Sequence, residues 1–171
     1  RQIHKYGKVI INDISAGELD PLIVDVAAEH DVPYVAMHMK GDPRTMQSMT
    51  DYRDIVAEVV DYFRERTAQL RERGVRRIVV DPGFGFAKTL EQNYELLRGL
   101  HRLAELGYPV LAGVSRKSMI YKLLGTTPAE ALNGTTALHW ECLRQGAAIL
   151  RVHDTREAVE VVRMFDQFMQ A

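Results

Sequence analysis

Apolar residues follow two alternating patterns along the chain. Short apolar runs occur at "VIINDI" (9–14), "PYVAMH" (33–38), "RIVVD" (77–81), "PVLAGV" (109–114) and "AILRV" (148–152). Their apolar positions are continuous rather than alternating with polar ones, which predicts strands covered on both faces. Between them lie stretches with helical period. In "DIVAEVVDYFRERTAQLRERG" (54–74), Ile55, Val59, Phe63 and Leu70 share one face, and Gly74 suits a C-terminal cap. Leu90, Tyr94, Leu97 and Ala104 repeat that pattern up to Gly107. Pro128 opens a further helix at a first-turn position and Gly146 closes it. A last helix follows Asp154, a competent cap, and carries Val161, Val162, Phe165 and Phe168. Strands alternating with helices predict an α/β fold with parallel strands and right-handed crossovers. An open doubly wound sheet and a (β/α)8 barrel both satisfy the pattern. In either, ligands meet the C-terminal ends of the strands.

Composition narrows the function classes. The 171 residues suffice for one domain, and without repeat, low-complexity tract or linker the chain reads as a single domain, 1–171. A formal charge of −1 gives no reason to expect nucleic acid or an anionic membrane as partner. The single cysteine, Cys142, excludes an internal disulfide and a cysteine-based metal site, and it fits a reducing compartment. No apolar run approaches a membrane span, and "RQIHKYGK" lacks the apolar segment of a secretory signal.

Reading past each strand gives Asn12-Asp13, Met37-His38-Met39, Asp81, then Ser115-Arg116-Lys117-Ser118, and finally Arg151-Val152-His153-Asp154. Each group has a bland reading. Asn12 and Asp81 suit turns. His38 between two methionines reads as a packed core residue, and no second ligand stands at zinc spacing. "GFGFAK" lacks the spacing of a dinucleotide loop or a P-loop. Together, five polar strand ends of both charges predict a binding site. A carboxylate at the bottom of a cleft accepts paired hydrogen bonds from the N–H edge of a heterocycle, and an asparagine reads the same ring. Arginine with histidine beside a helix N-terminus suits a phosphate. Phe84 and Phe86, on a glycine-rich loop, offer an aromatic wall.

The motifs "INDIS", "MHMKGDPRTMQ", "DPGFGFAK", "GVSRKSMI", "LNGTT" and "RVHD" occur in the order and approximate spacing of dihydropteroate synthases, which the chain resembles from Val9 to the final helix. The resemblance implies a TIM (β/α)8 barrel, of which this chain would carry about five βα units. It implies a transferase of folate biosynthesis, the sulfonamide target. That enzyme condenses 6-hydroxymethyl-7,8-dihydropterin diphosphate with p-aminobenzoate, releasing diphosphate. Asn12, Ile14, Met37, Asp81, Phe86, Gly113, Lys117 and Arg151 would bind the pterin. Ser118 and Phe86 would bind p-aminobenzoate, and Arg151 with His153 the diphosphate. Lys117, Arg151 and His153 would be the catalytic groups. Loss of diphosphate would leave a resonance-stabilised pterin cation for the arylamine to attack. The resemblance further implies Mg2+, a cytoplasmic location and a homodimer formed through C-terminal helices.

The chain departs from that family pattern in length. A barrel of this kind takes eight strands and ~250 residues, whereas five strands are read here, matching the family's fourth to eighth. The expectation is a native protein longer at its N-terminus, with the family's Mg2+ ligand in that part and no metal ligand in this chain. Ala87 stands where many members have glycine. Two other readings remain: a truncated or degenerate pterin-binding barrel without synthase activity, and a pterin-dependent methyltransferase domain. The second has no need for "SRKS" or "RVHD".

Overall fold

Each apolar run forms part of a parallel ladder. The computed structural model describes residues 7–41 and 49–170, so part of "MHMKGDPRTMQ" lies outside the described residues. The strands are β1 (Ile11–Asp13), β2 (Tyr34–Met37), β3 (Ile78–Asp81), β4 (Leu111–Ala112) and β5 (Ile149–Leu150). In space β1, β2 and β3 pair in that order, and β4 pairs with β5. All these pairings are parallel, and a parallel bridge from Val80 to Val110 joins the two sets. The assigned strands are shorter than the apolar runs, yet backbone bonds continue past their ends. Arg151 N–H donates to Ala112 O at 3.0 Å, Val80 N–H to Pro109 O at 3.0 Å, and Tyr34 N–H to Arg77 O at 2.8 Å.

The register explains why the runs are continuously apolar. Successive strand residues face opposite sides, and here both sides meet apolar neighbours. Tyr34, Ala36, Ile78, Val80, Val110 and Ala112 face the helices and join the main core. Val35, Val79 and Leu111 alternate with them and form a separate small cluster on the other face. On that inner face an open trough of roughly 710 Å3 runs past Asn12, Val35, Val79, Leu111, Ile149 and Arg151.

Helices cover the outer face. Helix α1 is Leu22–Glu29; the periodicity did not single it out, because it is short and buries only Val24 and Ala27. Helix α2 (Ile55–Glu72) buries Ile55, Val59, Phe63 and Leu70 as expected; Asp54 caps it by accepting from Ala57 N–H at 2.9 Å. The stretch read as one helix from Leu90 divides into α3 (Leu90–Arg98) and α4 (His101–Ala104). Thr89 and Gln92 form a reciprocal capping box at the start of α3. Helix α5 is Ser118–Leu124. Pro128 opens a 3-10 turn, Pro128–Glu130, and α6 (Leu132–Arg144) begins beyond it. Helix α7 (Thr155–Gln170) packs on α6, with Phe165 and Phe168 edge-on to Trp140 at 5.4 and 5.5 Å between ring centres. Asp154, expected to cap α7, directly precedes it with its carbonyl accepting the Ala158 N–H at 3.1 Å, and its carboxylate takes a two-pronged bond from Arg116 at 2.7 and 2.8 Å. Cys142 is buried in α6, where burial pushes its thiol up to about 12, so it serves as core. Among the described residues, no helix is long and apolar enough to cross a membrane.

Candidate active site

The inner-face rule selects Asn12 on β1, Met37 on β2, Asp81 on β3, Gly113 after β4 and Arg151 after β5. Asn12 pairs across from Val35, and Met37 from Asp81. Side chains from the opposite ends of this row meet. Arg151 Nη1 donates to Asn12 Oδ1 at 3.4 Å, and its Nη2 stands 3.0 Å from Asp81 Oδ2. The guanidinium lies close over Gly113, where an added Cβ would come within 2.6 Å of Nη2. Glycine at 113 is therefore what lets Arg151 reach across the face.

Asp81 is fully buried. Its Oδ1 accepts from Gly83 N–H at 2.8 Å, closing the turn after β3. Its Oδ2 has the Arg151 charge close by, but the angle misses a hydrogen bond, leaving this buried oxygen without a donor. A buried acceptor without a donor costs free energy unless something supplies one. Burial raises the Asp81 pKa, while Arg151, the Gly83 N–H, Lys117 and Lys88 pull against that rise.

Lys117 closes the site from β4. Its Nζ donates to the Phe84 carbonyl and lies 4.8 Å from the centre of the Phe86 ring. Burial brings its pKa down to about 8, with Asp81 opposing and Arg151 adding to the fall. The adjacent Arg116 explains why Lys117 points inward. Arg116 adopts φ +52° and is bound by Asp154 and by the Pro128 and Ala129 carbonyls at 2.8 and 2.6 Å. That outer clamp turns the next residue toward the strands.

The polar rim read from the sequence is therefore divided. Asn12, Asp81, Lys117 and Arg151 belong to one site. Asp13 faces the outer layer, accepting from Tyr34 OH at 2.6 Å and from the Ser15 and Gly17 N–H groups. His38 is a core residue, as expected, edge-on to Tyr62 at 4.9 Å. His153 is exposed beyond Arg151 and is held by Ser115, whose Oγ stands 3.0 Å from Nδ1 and accepts the His153 N–H at 3.2 Å. Phe86 and Ile14 are half-buried, and no described contact links Ile14 to the four converging groups. Ser118 lines a different depression, roughly 510 Å3, with Gly85, Lys88, Thr89, Asn93 and Lys122. Residues the sequence left without a role are Lys88 and Asn93, which hold the Gly83–Phe86 turn. Gly85 N–H donates to Asn93 Oδ1 at 2.7 Å. The position of Lys88 directly after the glycine loop was the available signal.

Among the described residues no three His, Cys, Asp or Glu side chains are grouped to hold a metal ion. The arrangement can seat a planar heterocycle by its N–H edge on Asp81, with cations on either side and an aromatic wall at the turn.

A family model described as "Pterin binding enzyme" matches residues 1–153. The dihydropteroate synthase of Synechocystis sp. is 43% identical over 169 residues, covering 97% of this chain and 58% of that protein. The dihydropteroate synthase of Escherichia coli (strain K12) is 42% identical over 173 residues, covering 100% of this chain and 61% of that one. The chain thus spans about three fifths of the length of these relatives. Dihydropteroate synthase from Thermus thermophilus in complex with 4-aminobenzoate superposes with a TM-score of 0.91 at 41% identity, over 95% of this chain and 67% of that one. The same enzyme with 6HMPPP gives 0.90.

Proposed function

The chain belongs to the pterin-binding enzyme family, and on that premise we propose that it acts as a dihydropteroate synthase. In this reading it joins 6-hydroxymethyl-7,8-dihydropterin diphosphate to p-aminobenzoate with release of diphosphate. The observation that carries the reading is Asp81 Oδ2, a buried acceptor without a hydrogen-bond donor on the face where Asn12, Lys117 and Arg151 meet.

A pterin's N–H edge would complete Asp81, and Asn12 would read the neighbouring edge. Met37, which pairs across from Asp81, and Gly113, beneath Arg151, would form walls for the ring, with Ile14 at its margin. Lys117 would donate to the ring carbonyl, and Arg151 would move off Asp81 to cover the ring. Arg151 with His153 would then stabilise the leaving diphosphate. Ser115 sets the imidazole by holding Nδ1, leaving Nε2 for the anion. The arylamine would approach along Phe86 with its carboxylate toward Ser118, and attack the carbon that the diphosphate leaves. No protein nucleophile takes part. The Mg2+ that the resemblance implies finds no grouped ligands among the described residues, so no step here runs through it.

The same reading takes the five parallel strands as part of a TIM (β/α)8 barrel. The inner cluster Val35, Val79 and Leu111, flanked by exposed Ile10 and Ile149 at the two edges, supports closure by further strands. Residues 1–171 would be one domain of a cytoplasmic homodimer. The exposed Met164, Phe168 and Met169 of α7 support pairing through that face.

Calorimetry with a pterin and a diphosphate-release assay with both substrates test the two halves of the reaction. Pterin binding is expected to weaken as pH falls through the raised Asp81 pKa, because the protonated carboxyl no longer accepts two N–H bonds. The slope approaches one proton per site and vanishes in Asp81→Asn. Lys117→Ala is expected to cut turnover about a hundredfold while the fold persists. Unchanged turnover would identify a pterin binder that does not carry out the condensation.

A further inference from the structure

Lys88 has no part in the chemistry just described, yet it is only 8% exposed. Its Nζ stands 3.2 Å from His38 Nδ1 and donates to the Gly83 and Phe86 carbonyls at 3.1 and 2.8 Å. An ammonium has three N–H bonds and no acceptor, so these neighbours use all of it. The arrangement requires His38 to be neutral with its proton on Nε2. Burial, then the Lys88 and Lys40 charges, hold the His38 pKa well below its ordinary value. The two carbonyls bracket a turn whose own bond runs from Phe86 N–H to Gly83 O at 3.1 Å. Behind it, Asn93 accepts from Gly85 N–H and donates to the Lys88 and Thr89 carbonyls. On the site side, the same turn presents the Phe84 carbonyl to Lys117 and the Phe86 ring beside it.

We infer that Lys88 is a positioning residue for the arylamine half of the reaction. Its ammonium, anchored on His38, holds the Gly83–Phe86 turn so that the Phe86 ring faces the incoming arylamine. The inference rests on the synthase reading. Asn12 and Asp81 are placed by β1 and β3, and among the described contacts Asp81 meets the turn only through the Gly83 N–H, so pterin recognition is held mainly by the strands. The Phe86 ring depends on the turn directly, whereas Lys117 is turned inward by the Arg116 clamp.

Charge state supplies a readout that mere packing would not move. Burial pulls the Lys88 pKa down to about 7; Asp81 opposes, and Lys117 and Lys40 add to the fall. His38 faces it from the end of β2, with Tyr52 and Tyr62 around that ring. Below that pH all three donors are present; above it the neutral amine has two, so it cannot keep both turn carbonyls and the anchor on His38 Nδ1 together, and its hold on the turn loosens. Arylamine KM should therefore rise with pH on the alkaline side. Lys117, at about 8, titrates in the same range, so the readout is the difference between the native and Lys88→Met profiles.

The test compares the full-length protein with its Lys88→Met variant across about pH 6 to 9. The variant is expected to keep its pterin Kd within about threefold, to raise arylamine KM about tenfold, and to lose the Lys88 part of the pH dependence. A folded variant with unchanged arylamine KM, or an unchanged profile, would overturn the inference. Should the variant not fold, 4-fluorophenylalanine at position 86 of the otherwise native chain reports instead. Its fluorine signal is expected to shift with the same midpoint as the Lys88 Cε resonance, and a flat signal would sink the coupling. Absent pterin binding by the native protein would remove the synthase premise, a result distinct from either outcome for the turn.

Discussion

Asp81→Asn is expected to lower pterin affinity at least about a hundredfold while leaving the protein folded. A site built to accept N–H bonds discriminates strongly, because a mismatched buried group on either side goes unpaired. The asparagine keeps the shape of the carboxylate but replaces one acceptor oxygen with an amide that repels the ring's N–H edge. Stability follows a different rule. Burial is the largest influence on the Asp81 pKa, and it disfavours the charged form. Removing that charge relieves a desolvation cost. The partner left behind, Arg151, is 38% exposed in its side chain and can be solvated. Thermal unfolding of the variant should therefore lie within about 1 kcal/mol of the native protein. Calorimetry with a pterin and a melting curve separate the two effects. Affinity preserved in a folded Asp81→Asn protein would remove Asp81 from the site.

Gly83→Ala is expected to be the most damaging single methyl in the turn. Gly83 has φ +69°, and an added Cβ would stand 2.1 Å from the His38 carbonyl oxygen and 3.3 Å from Met37 Cγ. The backbone oxygen cannot step aside like a flexible side chain, because His38 is tied into the ladder by its N–H bond to Asp81 O at 2.9 Å. The left-handed conformation costs an alanine about 1 kcal/mol, and forced repacking adds about 1–3 kcal/mol. Gly107→Ala provides the control, since Gly107 has φ +79° with nothing within 4 Å. It should show the conformational cost alone, about 1 kcal/mol. Equal melting shifts for the two variants would mean that the turn does not pack on β2 as described.

Chemistry at the ends of strands was largely legible in the chain. Asn12, Asp81, Lys117 and Arg151 could be picked out because a parallel α/β pattern fixes which end of each strand receives ligand. The rim was legible only as a set. Asp13 and His38 belong to it by position and leave it by side-chain direction, because neighbouring strand residues face opposite layers. Helix α1 escaped notice for the reverse reason: its eight residues bury too little to impose a period. At Gly99, where α3 ends, α2 packs so closely that the Val56 methyls lie 2.7 Å from where a side chain would begin. A contact between segments roughly forty residues apart has no local signature.

The chain alone determined an alternation of parallel strands and amphipathic helices, because burial on two faces and on one face leave different apolar periods. It also determined which residue types would stand at the strand ends. Only the tertiary structure decided that Arg151 crosses Gly113 to reach Asp81 and Asn12, and that Arg116 turns outward while Lys117 turns in. It also decided that Lys88 spends all its donors on one turn and one histidine. Direction of that kind depends on strand register and on partners distant in sequence, and neither is written in the order of residues near the group itself.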